Sequence, residues 1–261
     1  MHELRRITEL KSGPSALSAM LKKEDRNCPE HGPYAALSLT KDIWTNCPAC
    51  EEESRQAEQH EASEESKRLS LKAKLRDAGI PARFANSSME SFVAENSGQK
   101  TALNVAMQYA GDFAEVLVHG RCLAFVGHPG TGKTHLAVGI VREVLAQGYS
   151  ALITTVGDYV REIKDQCWGK EKESTESTVI AKYRAPDLLV LDEVGVQFGS
   201  RTEENLIFTL MNKRYEDLKP TLVISNELED GLETYLGPRT FDRLKDGGGL
   251  IIPFPWESYR G

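Results

Sequence analysis

The sequence predicts an α/β protein with a three-layer αβα core around a parallel sheet, preceded by a small cysteine-bearing module and a charged helical tether. Two observations predict the core. From about Pro81 onward, apolar runs of strand length alternate with helical patterns, as in βαβ units. One of these runs ends in a glycine-rich loop that opens a helix. The 261 residues are enough for one such core and a small accessory module.

Changes in composition divide the chain into four zones. Residues 1–26 are short and polar, and we assign them no role. Residues 27–51 hold three of the five cysteines. Residues 52–80 are dense in Glu, Gln, Ser, Lys and Arg, which is typical of a solvated helix or of a flexible tether. Residues 81–261 form the α/β domain.

The bulk numbers exclude some classes of protein. The net charge of −7 argues against a chain that coats nucleic acid through overall positive charge, although a local basic path is compatible with it. No apolar run approaches the roughly 20 residues that span a bilayer, and the first residues lack the apolar stretch of a signal peptide. We expect a cytoplasmic protein without membrane contact, whose cysteines are thiols or metal ligands.

The α/β domain shows a definite order of elements. Residues 169–178 are charged and rich in Ser and Thr, which predicts a loop. Apolar runs predict strands, and apolar residues at helical spacing predict helices. The predicted strands are 121–126, 150–156, 187–191, 221–225 and 250–254, and the predicted helices are 133–147, 158–168 and 202–218.

A phosphate-binding loop follows the first strand. It fits the pattern G-x-x-x-x-G-K-[ST] over Gly127, His128, Pro129, Gly130, Thr131, Gly132, Lys133 and Thr134. Glycines let the backbone turn its N–H groups toward phosphate oxygens, and the following helix presents its positive N-terminus to the same anion. Lys133 would reach the β- and γ-phosphates of ATP, and the Thr134 hydroxyl would ligate Mg²⁺.

Two later strands end in polar residues. The apolar strand that begins at Leu188 ends in Asp192, which would hold Mg²⁺, and Glu193, which would activate the attacking water. The alternative is a buried strand that ends in two solvated acids. Asn226 follows the strand at 221–225, which would place its side chain near the γ-phosphate or the attacking water. The alternative is an Asn that only begins a turn.

Two arginines occur four residues apart near the end of the chain. Arg239 and Arg243 would share one face of a short helix. An ATPase that works as an assembly often supplies such an arginine to a neighbour's γ-phosphate, where it stabilises the transition state. The alternatives are a pair of surface arginines, or a contact between Arg243 and Asp246.

A metal site is predicted in the cysteine-bearing module. Cys28 and His31 form one short chelating pair, Cys47 and Cys50 form another, and 15 residues separate the pairs. Three thiols and an imidazole can close a tetrahedral S₃N site that suits Zn²⁺. With no open coordination position the site would be structural, and metal binding would supply most of the module's folding free energy.

Several stretches together resemble one family. They are the phosphate loop, the strand end that runs Asp-Glu-Val-Gly-Val-Gln, the segments 220–226 and 237–244, and the ending Pro-Trp-Glu-Ser-Tyr-Arg at 255–260. Over about residues 81–261 the chain is similar to the DnaC-type replicative helicase loaders, a branch of the AAA+ ATPases, in the phage and prophage version with a zinc-bearing front end. The Val-Gly-Val-Gln and Trp-Glu-Ser-Tyr-Arg stretches are the more particular to this family.

The resemblance implies roles and partners. It implies an AAA+ P-loop core, ATP hydrolysis, a DnaB-type replicative helicase and single-stranded DNA as partners, and self-association with ATP. It assigns Lys133 and Thr134 to Walker A, Asp192 and Glu193 to Walker B, Asn226 to sensor 1, and Arg239 and Arg243 to the arginine-finger and sensor 2 box. In the best-known loaders the N-terminal region instead grips the helicase through helices.

The family's single-strand contact lies between the two Walker motifs. Here that region contains Lys164, Trp168 and Lys170, which would combine base stacking with phosphate contacts. The alternative is that Trp168 caps its helix against the core.

Other functions are compatible with parts of the sequence. An IstB-like ATPase that assists a transposase on duplex DNA shares the same core and is the main alternative. A small-molecule kinase predicts an arginine-rich lid, which is absent from the sequence. A non-catalytic binding module would leave Lys133, Asp192 and Glu193 without a purpose.

Overall fold

The computed structural model describes residues 21–38, 43–168, 174–195 and 201–259. The chain divides into two compact units, Met1–Leu69 and Ser70–Gly261. No described helix is long and apolar enough to cross a membrane.

The first unit contains a hairpin and most of a long helix. Strands β1 (Lys22–Cys28) and β2 (Gly32–Ser38) pair antiparallel. Gly32 closes the turn at φ 76°, a conformation that favours glycine. The hairpin begins five residues before the predicted boundary of the module, because Cys28 is the last residue of its first strand.

The charged stretch, predicted as a solvated helix or a flexible tether, forms helix α1 (Pro48–Asp77). All 30 of its residues are described, and none is buried. Pro48 occupies the first turn, where its missing N–H costs nothing. Exposed ion pairs one turn apart, such as Glu64 with Lys67 and Glu65 with Arg68, support the helix only weakly. A solvated helix is therefore the observed form.

The second unit is built on one parallel sheet. Its strands lie in the order β4-β5-β6-β3-β7, and every pair is parallel, as predicted. The elements that follow α1 are α2 (Ser97–Gly111), α3 (Phe113–His119), β3 (Leu123–Gly127), α4 (Lys133–Ala146), β4 (Ala151–Thr155), α5 (Val156–Cys167), α6 (Glu176–Arg184), β5 (Leu188–Val194), α7 (Arg201–Glu216), β6 (Thr221–Ser225), α8 (Glu229–Leu236), α9 (Pro238–Lys245) and β7 (Leu250–Phe254).

Helices cover both faces of this sheet. Successive residues of β3 alternate between two apolar clusters, since Phe125 belongs to one and Ala124 to the other. Helices α2 and α4 pack on the first face, whereas α5, α6, α7 and α9 pack on the second. The predicted three-layer αβα arrangement is confirmed.

Most predicted elements are present, with instructive differences. Strands β6 and β7 have the predicted bounds, whereas β5 runs on to Val194. The predicted loop at 169–178 contains the start of α6, where the Thr175 side chain accepts from the backbone N–H of Thr178. Helix α2 was not predicted, although Asn96 and Gln99 form a capping box at its start.

A buried arginine lies where β5 and β6 begin. The Arg214 side chain, on α7, is fully buried. Its guanidinium donates to five backbone carbonyls and to the Thr221 hydroxyl; the carbonyls are those of Tyr183, Arg184, Pro186, Asp187 and Pro220. Burial lowers the pKa of Arg214 to about 10, so the group stays charged at neutral pH.

We expect Arg214→Met to lower the free energy of unfolding by at least about 3 kcal/mol, because it leaves several buried carbonyls without donors. Urea unfolding followed by circular dichroism measures the change. Lys213→Met, at the half-buried neighbouring position, is the matched control and should cost under about 0.5 kcal/mol. Equal unfolding midpoints for the two variants would contradict this account of Arg214.

Candidate nucleotide site and metal site

The parallel sheet brings the ends of three central strands to one edge. Gly127 ends β3, Asp192 lies two residues before the end of β5, and Asn226 directly follows β6. Ligands bind at the carboxyl edge of such sheets. The backbone N–H of Gly127 donates to the Glu227 carbonyl at 3.0 Å, which fixes the start of the loop beside the end of β6.

The loop from Gly127 to Gly132 depends on glycine at two crowded positions. Gly127 has φ 131°, and a Cβ there would lie 2.5 Å from the Phe254 carbonyl oxygen. Gly132 has φ 93°, and its Cβ would lie 2.6 Å from the ring of Phe92. Neither position accepts a side chain without a backbone shift or a ring displacement. The loop leads directly into α4, whose N-terminal N–H groups form an anion site.

Lys133 and Thr134 open α4 and face the loop and β5. The Lys133 Nζ donates to the carbonyls of Gly127 at 2.6 Å and His128 at 2.7 Å, and the side chain is 5% exposed. The Thr134 Oγ1 donates to Asp192 Oδ2 at 2.9 Å. A hydroxyl and a carboxylate oxygen this close are the hard oxygen ligands that Mg²⁺ prefers. His128 itself is exposed and contributes its carbonyl.

Strand β5 is irregular where it carries its two acids. Its register against β6 shifts between Leu191 and Val194, and Glu193 adopts φ 59°. Such a bulge changes the direction of successive side chains, and a non-glycine residue at positive φ is under local strain. Burial raises the pKa of Asp192, against the hydrogen bonds from the Glu193 N–H and the Thr134 hydroxyl. Asp192 is half-buried, whereas Glu193 is exposed.

These side chains line one cleft. Its volume is about 510 Å³, within the usual range for small-molecule sites. Its lining includes Lys133, Thr134, Asp192, Glu193 and Asn226, all of which were predicted from the sequence. The sequence did not predict a second set of lining residues, of which only the last lies in a stretch noted in the sequence: Pro81, Arg83, Phe84, Ser91, Phe92, Val93 and Tyr259. The rings of Phe84, Phe92 and Tyr259 suit contact with a planar heterocycle.

The two predicted arginines lie on α9, away from this cleft. Among the described residues that line the cleft, neither Arg239 nor Arg243 is present. Arg239 is exposed. The Arg243 guanidinium donates to Asn212 and lies over the rings of Tyr215 at 5.1 Å and Phe208 at 5.6 Å, all on α7. The structure therefore does not bring either arginine to its own phosphate loop.

The predicted single-strand residues are only partly described. Trp168 is 43% exposed, and its indole N–H donates to Glu176 at 2.7 Å. Its backbone caps α5, but its ring is not buried in the core. Lys164 is exposed one turn earlier. Lys170, residues 196–197 of the Val-Gly-Val-Gln stretch and Arg260 lie outside the described residues.

In the first unit, the four predicted metal ligands converge. The ligand atoms of Cys28, His31, Cys47 and Cys50 all lie within 4.8 Å of one another. Cys50 Sγ is 3.5 Å from Cys28 Sγ and 3.3 Å from His31 Nδ1. These separations match the edges of a zinc tetrahedron, roughly 3.5 Å for the usual Zn–S and Zn–N lengths. All four cysteine and histidine donors therefore fit one Zn²⁺.

Two features bear on the binding of a cation by this cluster. Backbone N–H groups of Glu30 and His31 lower the pKa of the Cys28 thiol to about 6, which favours its thiolate, whereas the hydrogen bond with Cys28 raises the pKa of the Cys50 thiol to about 12. His31 directs Nδ1 at the sulfurs, while its Nε2 lies 3.0 Å from Glu53 Oε1. A carboxylate on the second nitrogen fixes the tautomer of a metal-binding histidine. Sequence reasoning missed Glu53, although it follows Cys50 by three residues on the same face of α1.

Comparisons with known proteins agree with this geometry. The family described as "IstB-like ATP binding protein" matches residues 51–236, more than half of the chain. The curated "Replicative helicase loader DnaC" of Buchnera aphidicola subsp. Schizaphis graminum is 34% identical over 196 residues, 75% of this chain and 78% of that protein. The protein of the same name from Escherichia coli strain K12 is 34% identical over 198 residues, with the same coverage.

A solved structure shares the fold. The "Crystal structure of the DnaC helicase loader" superposes with a TM-score of 0.59 at 23% sequence identity. The match covers 66% of this chain and 99% of that chain. The similarity shows that the parallel sheet and its helices share the fold of that structure.

Proposed function

We propose, because this chain belongs to the family of IstB-like ATP-binding proteins within the AAA+ class, that it hydrolyses ATP and loads a DnaB-type replicative helicase onto single-stranded DNA. The observation that carries the ATPase is the Thr134–Asp192 hydrogen bond in a cleft that Lys133, Glu193 and Asn226 also line. The relatives named as DnaC loaders support the helicase as the partner.

Each of the five predicted side chains that line the cleft has a distinct task. Thr134 and Asp192 would hold Mg²⁺, which supplies charge neutralisation for the phosphates when it is bound. Lys133 places its ammonium against the β- and γ-phosphates. Glu193 accepts a proton from the attacking water. The water oxygen forms a bond to the γ-phosphorus while the bond from that phosphorus to the leaving ADP oxygen breaks. Asn226 orients that water by hydrogen bonding.

An arginine from a second copy would complete the site. Arg239 and Arg243 lie outside their own cleft, so an effect on phosphate charge requires a neighbour. Self-association with ATP follows from this requirement. Arg243 is already oriented by Asn212 and two aromatic rings, which lowers the entropy cost of presenting it.

Trp168 and Lys164 are the proposed single-strand contacts, with Lys170. An exposed indole that follows the exposed Lys164 by one helical turn suits a stacked base and its phosphate. In the first unit, Zn²⁺ bound by Cys28, His31, Cys47 and Cys50 would hold the hairpin to the start of α1. The module at 27–51, the tether at 52–80 and the ATPase domain at 81–261 are the proposed divisions of the chain.

Lys133→Ala and Glu193→Gln should separate binding from hydrolysis. We expect Lys133→Ala to lose ATP binding and Glu193→Gln to retain it, with hydrolysis at least about 100-fold slower in both. A DnaB-type helicase should co-elute with wild type and Glu193→Gln only when ATP is present. Lys72→Ala, exposed on α1, is the control and should match wild type. Hydrolysis stimulated by duplex DNA, with no helicase complex, would instead support a transposase-assisting ATPase.

Mixing variants tests the arginines. Arg239→Ala and Arg243→Ala keep an intact nucleotide site, whereas Lys133→Ala keeps both arginines. If an arginine acts on a neighbour, its variant should regain hydrolysis when mixed with inactive Lys133→Ala, by at least several-fold, since such arginines contribute up to about 1,000-fold or more. Rescue of neither arginine variant would contradict action between copies.

The zinc site predicts a role for Glu53. The purified chain should contain one zinc ion, and Cys50→Ser should not retain it. We expect Glu53→Gln to lose zinc to a competing chelator at a roughly 10- to 100-fold lower concentration, because His31 loses the acceptor that orients it. Glu51→Gln, exposed on the same helix, is the matched control. Metal-free wild type would refute the zinc site, whereas equal zinc retention by both glutamine variants would refute only the role of Glu53.

A further inference from the structure

The segment that follows β7 contacts the phosphate loop. Beyond β7, the Trp256 indole N–H donates to the Thr131 carbonyl at 2.9 Å. The backbone N–H of Tyr259 donates to the Gly130 carbonyl at 3.0 Å. These residues belong to the Trp-Glu-Ser-Tyr-Arg stretch, to which the ATPase chemistry assigns no task. The segment Trp256–Tyr259, here termed the tail, thus bonds to two consecutive carbonyls of the loop.

The direction of a carbonyl fixes the direction of the next N–H. In a trans peptide the two groups point to opposite sides. When the tail holds the carbonyls of Gly130 and Thr131, the N–H groups of Thr131 and Gly132 therefore point away from these donors. Glycine-rich loops bind phosphate through such N–H groups. The tail contacts thus select the orientation of two peptides in the phosphate-binding loop.

Lys133 and Thr131 hold other carbonyls of the same loop. Lys133 donates to Gly127 and His128, and the Thr131 hydroxyl donates to His128 at 2.8 Å. A bound γ-phosphate would compete for the Lys133 ammonium, but it cannot compete for the tail donors, which face the carbonyls. The tail contacts can therefore persist when nucleotide is bound.

The tail is itself well anchored. The Tyr259 hydroxyl donates to the Val93 carbonyl at 2.7 Å, and its ring meets the edge of Phe92 at 5.9 Å. Trp256 packs on Phe254 with ring centroids 4.7 Å apart. A Cβ on Gly98 would lie 3.2 Å from the Trp256 ring, so a side chain there would push on the ring. These contacts hold the indole N–H in line with its acceptor.

We propose that Trp256 and Tyr259 are positioning residues for nucleotide binding, which orient the phosphate loop through the carbonyls of Thr131 and Gly130. Tyr259 additionally lines the cleft. The proposal rests on ATP binding by this chain and adds the means by which the ending of the chain controls it. Loss of a tail donor should weaken nucleotide binding without changing the groups that carry out hydrolysis.

Trp256→Phe tests this most directly, because it removes the N–H and keeps an aromatic ring. We expect KM for ATP and Kd for a non-hydrolysable analogue to rise about five-fold, the usual worth of one hydrogen bond, with kcat within about two-fold of wild type. Trp44→Phe, which removes an indole that lies against Arg26 in the first unit, is the matched control and should change neither constant. A lower kcat with unchanged KM would overturn the proposal.

A second measurement needs no change at Trp256. The chain has 3 tryptophans, so the double variant Trp44→Phe/Trp168→Phe leaves Trp256 as the single emitter. Its emission should change on adding ATP, because the loop that the indole contacts then holds the charged phosphates, and the change should be half complete when free ATP equals the Kd. No change despite bound nucleotide would overturn the proposal even if Trp256→Phe fails to fold. If the wild-type protein binds no nucleotide, the proposed ATPase activity is contradicted as well. If Trp256→Phe binds nucleotide as tightly as wild type, only the proposed role of the tail is contradicted.

Discussion

The hydrogen bonds of Arg214 connect the two strands on which the candidate site depends. Its guanidinium holds carbonyls that precede β5 and β6, and the hydroxyl of the first residue of β6. Because side chains alternate along a strand, a slip of one residue would exchange the faces of every later side chain. The opposite ends of these strands carry Asp192 and precede Asn226. The hydrogen bonds of Arg214 where β5 and β6 begin therefore set the register that places Asp192 and Asn226 at the carboxyl ends of these strands.

Irregular backbone in the second unit occurs at residues of the candidate nucleotide site. The bulge in β5 and the positive φ of Glu193 occur at the acids, and glycines adopt positive φ in the loop. A regular strand would direct Asp192 and Glu193 to opposite faces of the sheet, and only one of them could reach a shared cleft. The bulge instead lets both line it. Local strain is thus offset by the buried, regular strands on either side.

The sequence predicted what short-range patterns encode. A loop motif between a strand and a helix, and apolar strands that end in Asp-Glu and in Asn, were sufficient to predict five side chains that line the cleft. The partners of Trp256 could not be predicted, because they depend on which residues meet across 125 positions of sequence. The aromatic residues that line the cleft likewise come from segments near both ends of the second unit. Helix α2 and Glu53 were within reach, since the capping box and the spacing of Glu53 from Cys50 are local.

Resemblance and geometry answer different questions about the same residues. The Trp-Glu-Ser-Tyr-Arg ending contributes to the resemblance but does not explain why an indole is used at its first position. The geometry supplies a reason: the Thr131 carbonyl accepts from the indole N–H, and the ring packs against Phe254 and close to Gly98. Only indole offers an N–H on a ring of that size without a charge. A lysine would supply the donor but not the packing, and a phenylalanine would supply the packing but not the donor.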